Sequence, residues 1–117
     1  MQAKLIAFGE IELEGERYAH DVVIDAGHIR RRHKGPSKGL RDRYGHTPLS
    51  LAEDIPWSGP RLIVGTGAEG GLPIAAEVYA EAARSGIAIL ALPTGDACCL
   101  LSTLKPAEVC AVLHVTC

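Results

Sequence analysis

The clearest alternation of apolar and polar positions runs from Arg61 to Ser85 and predicts a strand, a turn and a helix in succession. It begins with an apolar run, Arg-Leu-Ile-Val-Gly, whose length suits a buried strand, and it continues into a turn that is dense in glycine. The following segment has helical spacing, with Pro73 at its start and Gly86 just beyond its end. Because such a helix must cross a face of the sheet that its strands build, the pattern predicts an α/β domain.

The N-terminal part of the chain has the alternation that is typical of strands. Lys4–Phe8 is a short apolar run, and Ile11 and Leu13 alternate with glutamates. Tyr18–Ile24 is a second extended stretch, so this region predicts a hairpin with a polar outer face, the antiparallel part of a mixed sheet. His28–Arg30 predicts a short edge strand.

Further elements are predicted on either side of the central unit. Ser50 and Glu53 have the spacing of a capping box and predict a short helix. Ile87–Leu92 predicts an interior strand that is buried on both faces, and Thr94 is expected to cap the next helix. Val109–Thr116 predicts the last strand, which completes a C-terminal β-α-β-α-β unit. The fold class is therefore α/β, with a mixed central sheet in three layers.

Length and composition indicate one soluble domain. A chain of 117 residues can bury roughly two-thirds of its unfolded surface in a single core, and no linker divides residues 1–117. The longest apolar runs fall far short of the ~20 residues of a membrane span. Closely spaced glutamates near the N-terminus argue against a signal peptide, so we expect a cytoplasmic protein without membrane contact.

The charge is unevenly distributed, although the formal net charge is only -2. Between His28 and His46 lie seven Lys or Arg residues and one acid, Asp42, which gives this segment a formal charge of +6. Residues 31–47 lack periodicity and predict a long loop, which we call the basic loop together with residues 28–30. A loop of this length is usually functional or disordered. The expected partner-binding residues are Arg30, Arg31, Arg32, Lys34, Arg41, Arg43 and His46.

Nucleic acid fits this loop less well than a protein partner does. Clustered cations can bind a phosphate backbone. However, stacking on single-stranded bases needs interleaved aromatic residues, and only Tyr44 is available. For the charge cluster taken alone, a solvated and mobile loop is the favoured interpretation.

The turn Gly65–Gly71 contains the spacing GxGxxG between a strand and a helix, where backbone N–H groups can hold a phosphate. The acid that binds a ribose at the end of the next strand is missing, and the carboxylate of Glu69 would repel an anion. The turn alone therefore cannot hold a nucleotide, and the pattern favours tight turning and backbone packing over anion binding. The candidate anion-binding residues are Thr66, Gly67, Gly70 and Gly71.

Cysteine and histidine do not form a recognisable reactive or metal site. Cys98 and Cys99 lie near a helix start, where a thiol can be activated, and His114 could serve as a base if the fold brought it close. Buried structural thiols are the favoured interpretation, and no disulfide framework is expected. The remaining histidines and cysteines lack ligand spacing, so neither a metal, a cofactor nor a catalytic residue is predicted. They include His28, His33, His46, Cys110 and Cys117.

Several segments together resemble a known family of small α/β domains. They are Phe8-Gly9, Asp21-Val22-Val23-Ile24, Leu62-Ile63-Val64-Gly65-Thr66-Gly67, Gly86-Ile87, Thr94 with Ala97, and Leu113-His114-Val115-Thr116-Cys117, with Gly15, Tyr18 and His46. The family includes a mammalian adipogenesis-associated domain protein and, more distantly, a mitochondrial respiratory complex I assembly factor. The resemblance implies a three-layer α/β fold, no established enzymatic activity, and action through protein partners.

The sequence therefore predicts a non-enzymatic protein-interaction or assembly module whose distinctive surface is the basic loop. An anion- or nucleotide-binding protein that uses the Gly65–Gly71 turn is the alternative. Nucleic-acid binding through the loop is a third and weaker interpretation.

Overall fold

Eight β-strands and three α-helices follow one another in the computed structural model, which describes all residues 1–117. The strands are β1 (Ala3–Ala7), β2 (Glu10–Leu13), β3 (Glu16–Tyr18), β4 (Val22–Asp25), β5 (His28–Arg31), β6 (Arg61–Thr66), β7 (Ala88–Leu92) and β8 (Cys110–His114). The helices are α1 (Arg41–Tyr44), α2 (Ala76–Arg84) and α3 (Thr94–Leu101), with short 3-10 helices at Gly35–Leu40 and Pro106–Glu108.

The central sheet is mixed, as predicted, and has the strand order β5-β4-β8-β6-β7. Strand β6 is parallel to both of its neighbours, while β4 is antiparallel to β5 and β8. The units β6, α2, β7, α3 and β8 form the C-terminal β-α-β-α-β arrangement, because each helix carries the chain back across the sheet between parallel strands. The α/β fold class is confirmed.

Side chains of the central strands alternate between two apolar cores, which gives the domain its layers. In β6, Ile63 belongs to the core that also holds Ala97 and Leu101 of α3, together with β1 and β2 residues. Its neighbours Leu62 and Val64 face the opposite core, which contains Val78 of α2. This period of two is expected for a strand that is covered on both faces.

The N-terminal hairpin differs from the prediction, because it belongs to a sheet of its own. Strands β1, β2 and β3 form a separate three-stranded antiparallel sheet. The stretch Tyr18–Ile24 is not one strand: it leaves that sheet at Tyr18 and enters the central sheet at Val22. The antiparallel part of the central sheet is instead β4 with β5 and β8. Strand β4 has apolar residues on both of its faces, and the central sheet has an apolar layer on each face to bury them.

Two strand predictions concern the edges of the central sheet. The edge strand predicted at His28–Arg30 is confirmed, and it extends to Arg31 as β5. The prediction that Ile87–Leu92 is interior was wrong, because β7 lies at the other edge and its residues are only half-buried or exposed. The apolar sequence of β7 predicts a strand, but it does not indicate whether that strand pairs with one neighbouring strand or with two.

Two helix predictions were also wrong in detail. Ser50–Glu53 forms only a turn, in which the N–H of Glu53 donates to the carbonyl of Ser50. Thr94 does not cap α3, because Pro93 is the N-cap and Thr94 is already helical. Within the basic loop, residues 31–47 are not irregular throughout, since they contain the 3-10 helix Gly35–Leu40 and the single turn α1.

Candidate functional site

The register of three strands brings three polar residues together at one end of the central sheet. Asp21 precedes β4, Arg32 follows β5, and His114 ends β8. Val22 pairs with both Arg31 and Leu113 in the sheet. The residues one position beyond this pairing, Asp21, Arg32 and His114, therefore lie side by side at the end of the three strands. The N–H of Arg32 also donates to the carbonyl of Asp21 at 3.0 Å.

Arg32 is the centre of a buried ion-pair cluster. Its Nε and Nη2 donate to the two carboxylate oxygens of Glu53 at 2.7 and 2.9 Å. Its Nη1 donates to Oδ2 of Asp21 at 2.9 Å, and Nη2 also reaches the carbonyl of Pro48. The Arg32 side chain is 1% exposed, and burial, which lowers its pKa, is outweighed by Glu53 and Asp21, so that its pKa is raised. Planar bidentate pairing of this kind requires arginine rather than lysine.

Two serines complete the cluster and explain the residues that the sequence placed in a capping box. Ser37 Oγ lies 2.6 Å from a carboxylate oxygen of Glu53 and 2.6 Å from Ser50 Oγ, and all three residues are buried. Ser50 and Glu53 therefore bind the segment 48–53 to the basic loop instead of starting a helix. The cluster holds the loop against the sheet end.

Asp21 is held as a carboxylate at the meeting point of Arg32 and His114. Burial would raise its pKa, but hydrogen bonds from His114 and from the N–H of Val115, together with the charge of Arg32, lower the pKa to about 2. Asp21 is therefore ionised at neutral pH and can only accept hydrogen bonds.

His114 connects this buried cluster to the surface. Its Nδ1 lies 2.8 Å from Oδ2 of Asp21, and its Nε2 lies 3.2 Å from Oγ1 of Thr116. The side chain is 11% exposed. The backbone of Thr116 is fixed as well, because its carbonyl accepts a hydrogen bond from the N–H of Ala68 at 2.7 Å.

A polar cleft of about 240 Å³ opens beside His114 and Thr116. We call it the basic cleft, and it is lined by Arg32, Lys34, Arg41, His46, Thr47, Gly71, Leu72, His114, Thr116 and Cys117. Neither Lys34 nor Arg41 has a carboxylate within ion-pair distance. No Asp or Glu side chain lines the cleft, so no acidic side chain within it offsets the two cations without ion pairs and the two imidazoles.

The glycine-rich turn uses its backbone N–H groups within the protein. The N–H groups of Ala68, Glu69 and Gly71 donate to the carbonyls of Thr116 and Cys117. Gly67 has φ +111° and lies so close to Cys117 that a Cβ would overlap its carbonyl group. This geometry agrees with the packing interpretation. Of the candidate anion-binding residues, only Gly71 lines the basic cleft, while Thr66, Gly67 and Gly70 lie outside its lining.

The predicted partner-binding residues separate into three groups. Arg32 was wrongly expected at the surface, because it is buried between two carboxylates. Lys34, Arg41 and His46 line the basic cleft. The others lie elsewhere on the loop: Arg30 pairs with Asp54, Arg43 lies 5.4 Å from the ring centroid of Tyr44, and Arg31 is exposed without an ion pair.

The cysteines remain free thiols in this fold. Burial, with a smaller contribution from Cys99, raises the pKa of Cys98 to about 11, so this thiol is protonated and inert at neutral pH. His114 binds Asp21 instead of either helix cysteine. No group of three or more His, Cys, Asp or Glu side chains has the arrangement of a metal site.

Asp21, Glu53 and Thr116 were not recognised as functional candidates in the sequence. Nothing in their spacing distinguishes a buried carboxylate from a solvated one, because the partners are supplied by distant strands. The sequence offered only a partial signal, the position of Asp21 directly before the apolar run of β4; the strand register of the structure then places it level with His114.

The fold is shared with proteins of known structure. The conserved hypothetical protein PH1505 from Pyrococcus horikoshii is 28% identical and superimposes with a TM-score of 0.76 over the whole of both chains. A protein named MT938 is 24% identical, with a TM-score of 0.67 over 94% of this chain and 93% of its own. No protein-family model and no curated protein matches the chain. These likenesses establish the fold and bring no activity with them.

No helix of this fold has both the length and the apolar character that crossing a lipid bilayer requires.

Proposed function

We propose that this chain is a binding protein for a small anion, which it holds in the basic cleft. The observation that carries the proposal is the pairing pattern of the cations. Arg32 is neutralised by two carboxylates, whereas Lys34 and Arg41 line the same cleft without an acidic partner. Cationic side chains that converge on a concave space without acids favour an anionic ligand.

The size of the cleft narrows the class of ligand. A volume of about 240 Å³ is below the roughly 300–1,000 Å³ of pockets that enclose drug-sized molecules. Phosphate, or the phosphorylated end of a longer molecule, fits better than a whole nucleotide. Each cation at ~4 Å contributes about 1 kcal/mol in water. Lys34 and Arg41 are exposed, so the two cations supply only part of the roughly 8 kcal/mol of micromolar binding.

Thermal unfolding with inorganic phosphate tests this function. At about 100 times the dissociation constant, phosphate stabilises the fold by about 2.7 kcal/mol, which raises the midpoint by several degrees. The double substitution Lys34→Ala with Arg41→Ala is expected to remove that shift. Lys38→Ala with Arg43→Ala removes the same charge from the same loop outside the cleft lining and is expected to retain it. Equal shifts in both double variants, or none in the unmodified protein, would contradict the proposal.

A protein-interaction module of the kind that the family resemblance implies is a second candidate. Beside the basic cleft lies an open groove without hydrophobic lining, which includes Arg31, His33 and Lys38. Its exposed cations suit an acidic protein segment, because charge complementarity guides such association. The groove shares Arg32 and Lys34 with the basic cleft, whereas Arg41 lines the cleft only. Arg31→Ala with Lys38→Ala should then lose a partner that Arg41→Ala still captures, and the reverse result would contradict this second function.

A further inference from the structure

An unbroken line of hydrogen bonds leads from the buried cluster into the basic cleft. It runs from Asp21 Oδ2 to His114 Nδ1 over 2.8 Å, and from His114 Nε2 to Thr116 Oγ1 over 3.2 Å. A carboxylate, an imidazole and a hydroxyl in this order form the arrangement in which a histidine activates a nucleophilic oxygen. The two members nearest the surface, His114 and Thr116, both line the cleft.

The partners of Asp21 decide where the imidazole proton lies. The ionised carboxylate can only accept, so Nδ1 of His114 must be the donor in their hydrogen bond. In the neutral ring Nε2 is then an acceptor, and the hydroxyl of Thr116 donates to it. In this tautomer Nε2 is directed at the Thr116 hydroxyl, which is the geometry that a general base requires.

Both ends of this line are fixed in place by other contacts. Asp21 is held by Arg32 and by the N–H of Val115, whose hydrogen bond to Oδ1 measures 2.9 Å. The carbonyl of Thr116 is held by Ala68. The carboxylate that orients the imidazole and the backbone that carries the hydroxyl are therefore both held in place, which favours the preorganisation that catalysis needs.

We propose that Thr116 and His114 form a phosphoryl-transfer site that hydrolyses phosphate monoesters, an inference that rests on anion binding in the basic cleft. The substrate phosphoryl group lies between Thr116 and the cations Lys34 and Arg41, which oppose its negative charge. Asp21 is a positioning residue, because it orients His114 and does not contact the substrate. Phosphoryl transfer is favoured over acyl transfer because the cleft offers separate cations rather than converging backbone N–H groups, and those of the neighbouring turn are already bonded.

The reaction has two steps, and water is its only co-substrate. Thr116 Oγ1 attacks phosphorus while His114 Nε2 takes the hydroxyl proton; the Oγ1–P bond forms, the P–O bond to the leaving alcohol breaks, and His114 returns the proton to that alcohol. Water then attacks the phosphothreonine while His114 Nε2 takes one of its protons. The P–Oγ1 bond breaks, Oγ1 recovers the proton from His114, and phosphate leaves.

Hydrolysis of p-nitrophenyl phosphate by the complete chain tests the inference, with phosphate binding measured in parallel by calorimetry. Thr116→Val is expected to reduce release of p-nitrophenol at least about 100-fold, while phosphate affinity changes by no more than about twofold. Thr116→Ser retains a hydroxyl and is expected to retain activity. Thr103→Val is the matched control, because the exposed Thr103 hydroxyl bonds only to the carbonyl of Leu100 outside the cleft.

Two further measurements separate catalysis from a purely structural role. Intact-mass analysis after rapid quenching is expected to find one phosphoryl group on the unmodified protein and none on Thr116→Val. Asp21→Asn is expected to change the pH profile of the rate, because an amide no longer fixes the proton on Nδ1, at a temperature where circular dichroism shows the variant folded.

Each outcome decides between the two proposals. Phosphate binding without p-nitrophenol release overturns the phosphoryl-transfer site and leaves anion binding standing. Absence of both binding and release overturns both proposals. Release that persists in Thr116→Val overturns the role of Thr116 as nucleophile.

Discussion

Asp21 and His114 lie 93 positions apart in the chain, and their side chains meet at 2.8 Å. The contact is possible because β4 and β8 are antiparallel neighbours, with Val22 opposite Leu113. Through this pair, the buried cluster around Arg32 and the basic cleft become one connected polar unit at the end of an otherwise apolar sheet.

Removal of the guanidinium from the buried cluster is expected to be severe. Arg32→Ala leaves the carboxylates of Asp21 and Glu53 without their shared cation, and breaking such a pair typically costs 3–5 kcal/mol. Urea denaturation measures the loss. The exposed neighbour Arg31 has no ion pair, so Arg31→Ala should change the unfolding free energy by less than about 0.5 kcal/mol. Comparable losses in both variants would show that the cluster does not stabilise the fold.

Asp21 is expected to make the free energy of unfolding depend on pH in the acidic range. The pKa of Asp21 is about 2 in the folded protein against an ordinary value of 3.8. Its contribution to the free energy of unfolding is therefore fully present at pH values above the ordinary pKa. It amounts to about 2 kcal/mol and disappears as the pH falls from about 5 through the folded pKa. Denaturation at several pH values should show this loss in the unmodified protein and in the exposed-site control Asp42→Asn. The curve of Asp21→Asn should be flatter by that amount, and an unchanged slope would contradict the prediction.

Thr94 is expected to stabilise the fold by joining two strands, not by capping a helix. Its Oγ1 accepts a hydrogen bond from the N–H of Gly67 at 2.8 Å and donates one to the carbonyl of His114 at 2.5 Å. Thr94→Val keeps the shape but leaves a buried N–H and a carbonyl without their partner, so it should cost about 2–4 kcal/mol. Thr103→Val, at an exposed hydroxyl, should cost less than about 1 kcal/mol in the same denaturation experiment. A Thr94→Ser variant that is as unstable as Thr94→Val would contradict the role of the hydroxyl.

Gly67 is expected to be intolerant of any side chain. It has a positive φ, and a Cβ would lie 2.6 Å from the carbonyl oxygen of Cys117. Gly67→Ala should therefore lower the melting temperature strongly, even without phosphate, because backbone must move to admit the methyl group. Gly39→Ala is the control, since Gly39 has no positive φ and no atom within 4 Å of its added Cβ. A folded Gly67→Ala protein that has lost only phosphate binding would instead support an anion site in the turn.

Much of the fold could be predicted from the sequence because each element depends on residues that are close together in the chain. The apolar run of β6, the glycine turn and the amphipathic α2 are each specified by residues within a few positions of one another. The mixed sheet and the β-α-β-α-β unit follow from them. The edge position of β7 and the separate sheet of β1, β2 and β3 do not, because periodicity reports burial preference and not the identity of neighbouring strands.

The basic loop shows how the same residue type can have opposite fates. Arg30, Arg31 and Arg32 are consecutive, and their local sequence gives no reason to distinguish them. The structure buries Arg32 because its backbone N–H is bonded to the carbonyl of Asp21 just beyond β5, and the carboxylates of Asp21 and Glu53 lie on either side of its guanidinium. The sequence predicted the positive charge of the loop, but it did not predict which arginines form buried ion pairs and which remain at the surface.

The sequence by itself determined the α/β class, the central unit and the cationic character of residues 28–47. Only the tertiary structure decided that Asp21, Arg32, Glu53, His114 and Thr116 share one site. The physical reason is that the period of apolar residues within one element indicates which of its faces is buried. Pairing between polar residues depends instead on the register of neighbouring strands. Register is set by the packing of the whole sheet, and it joins residues that are distant along the chain.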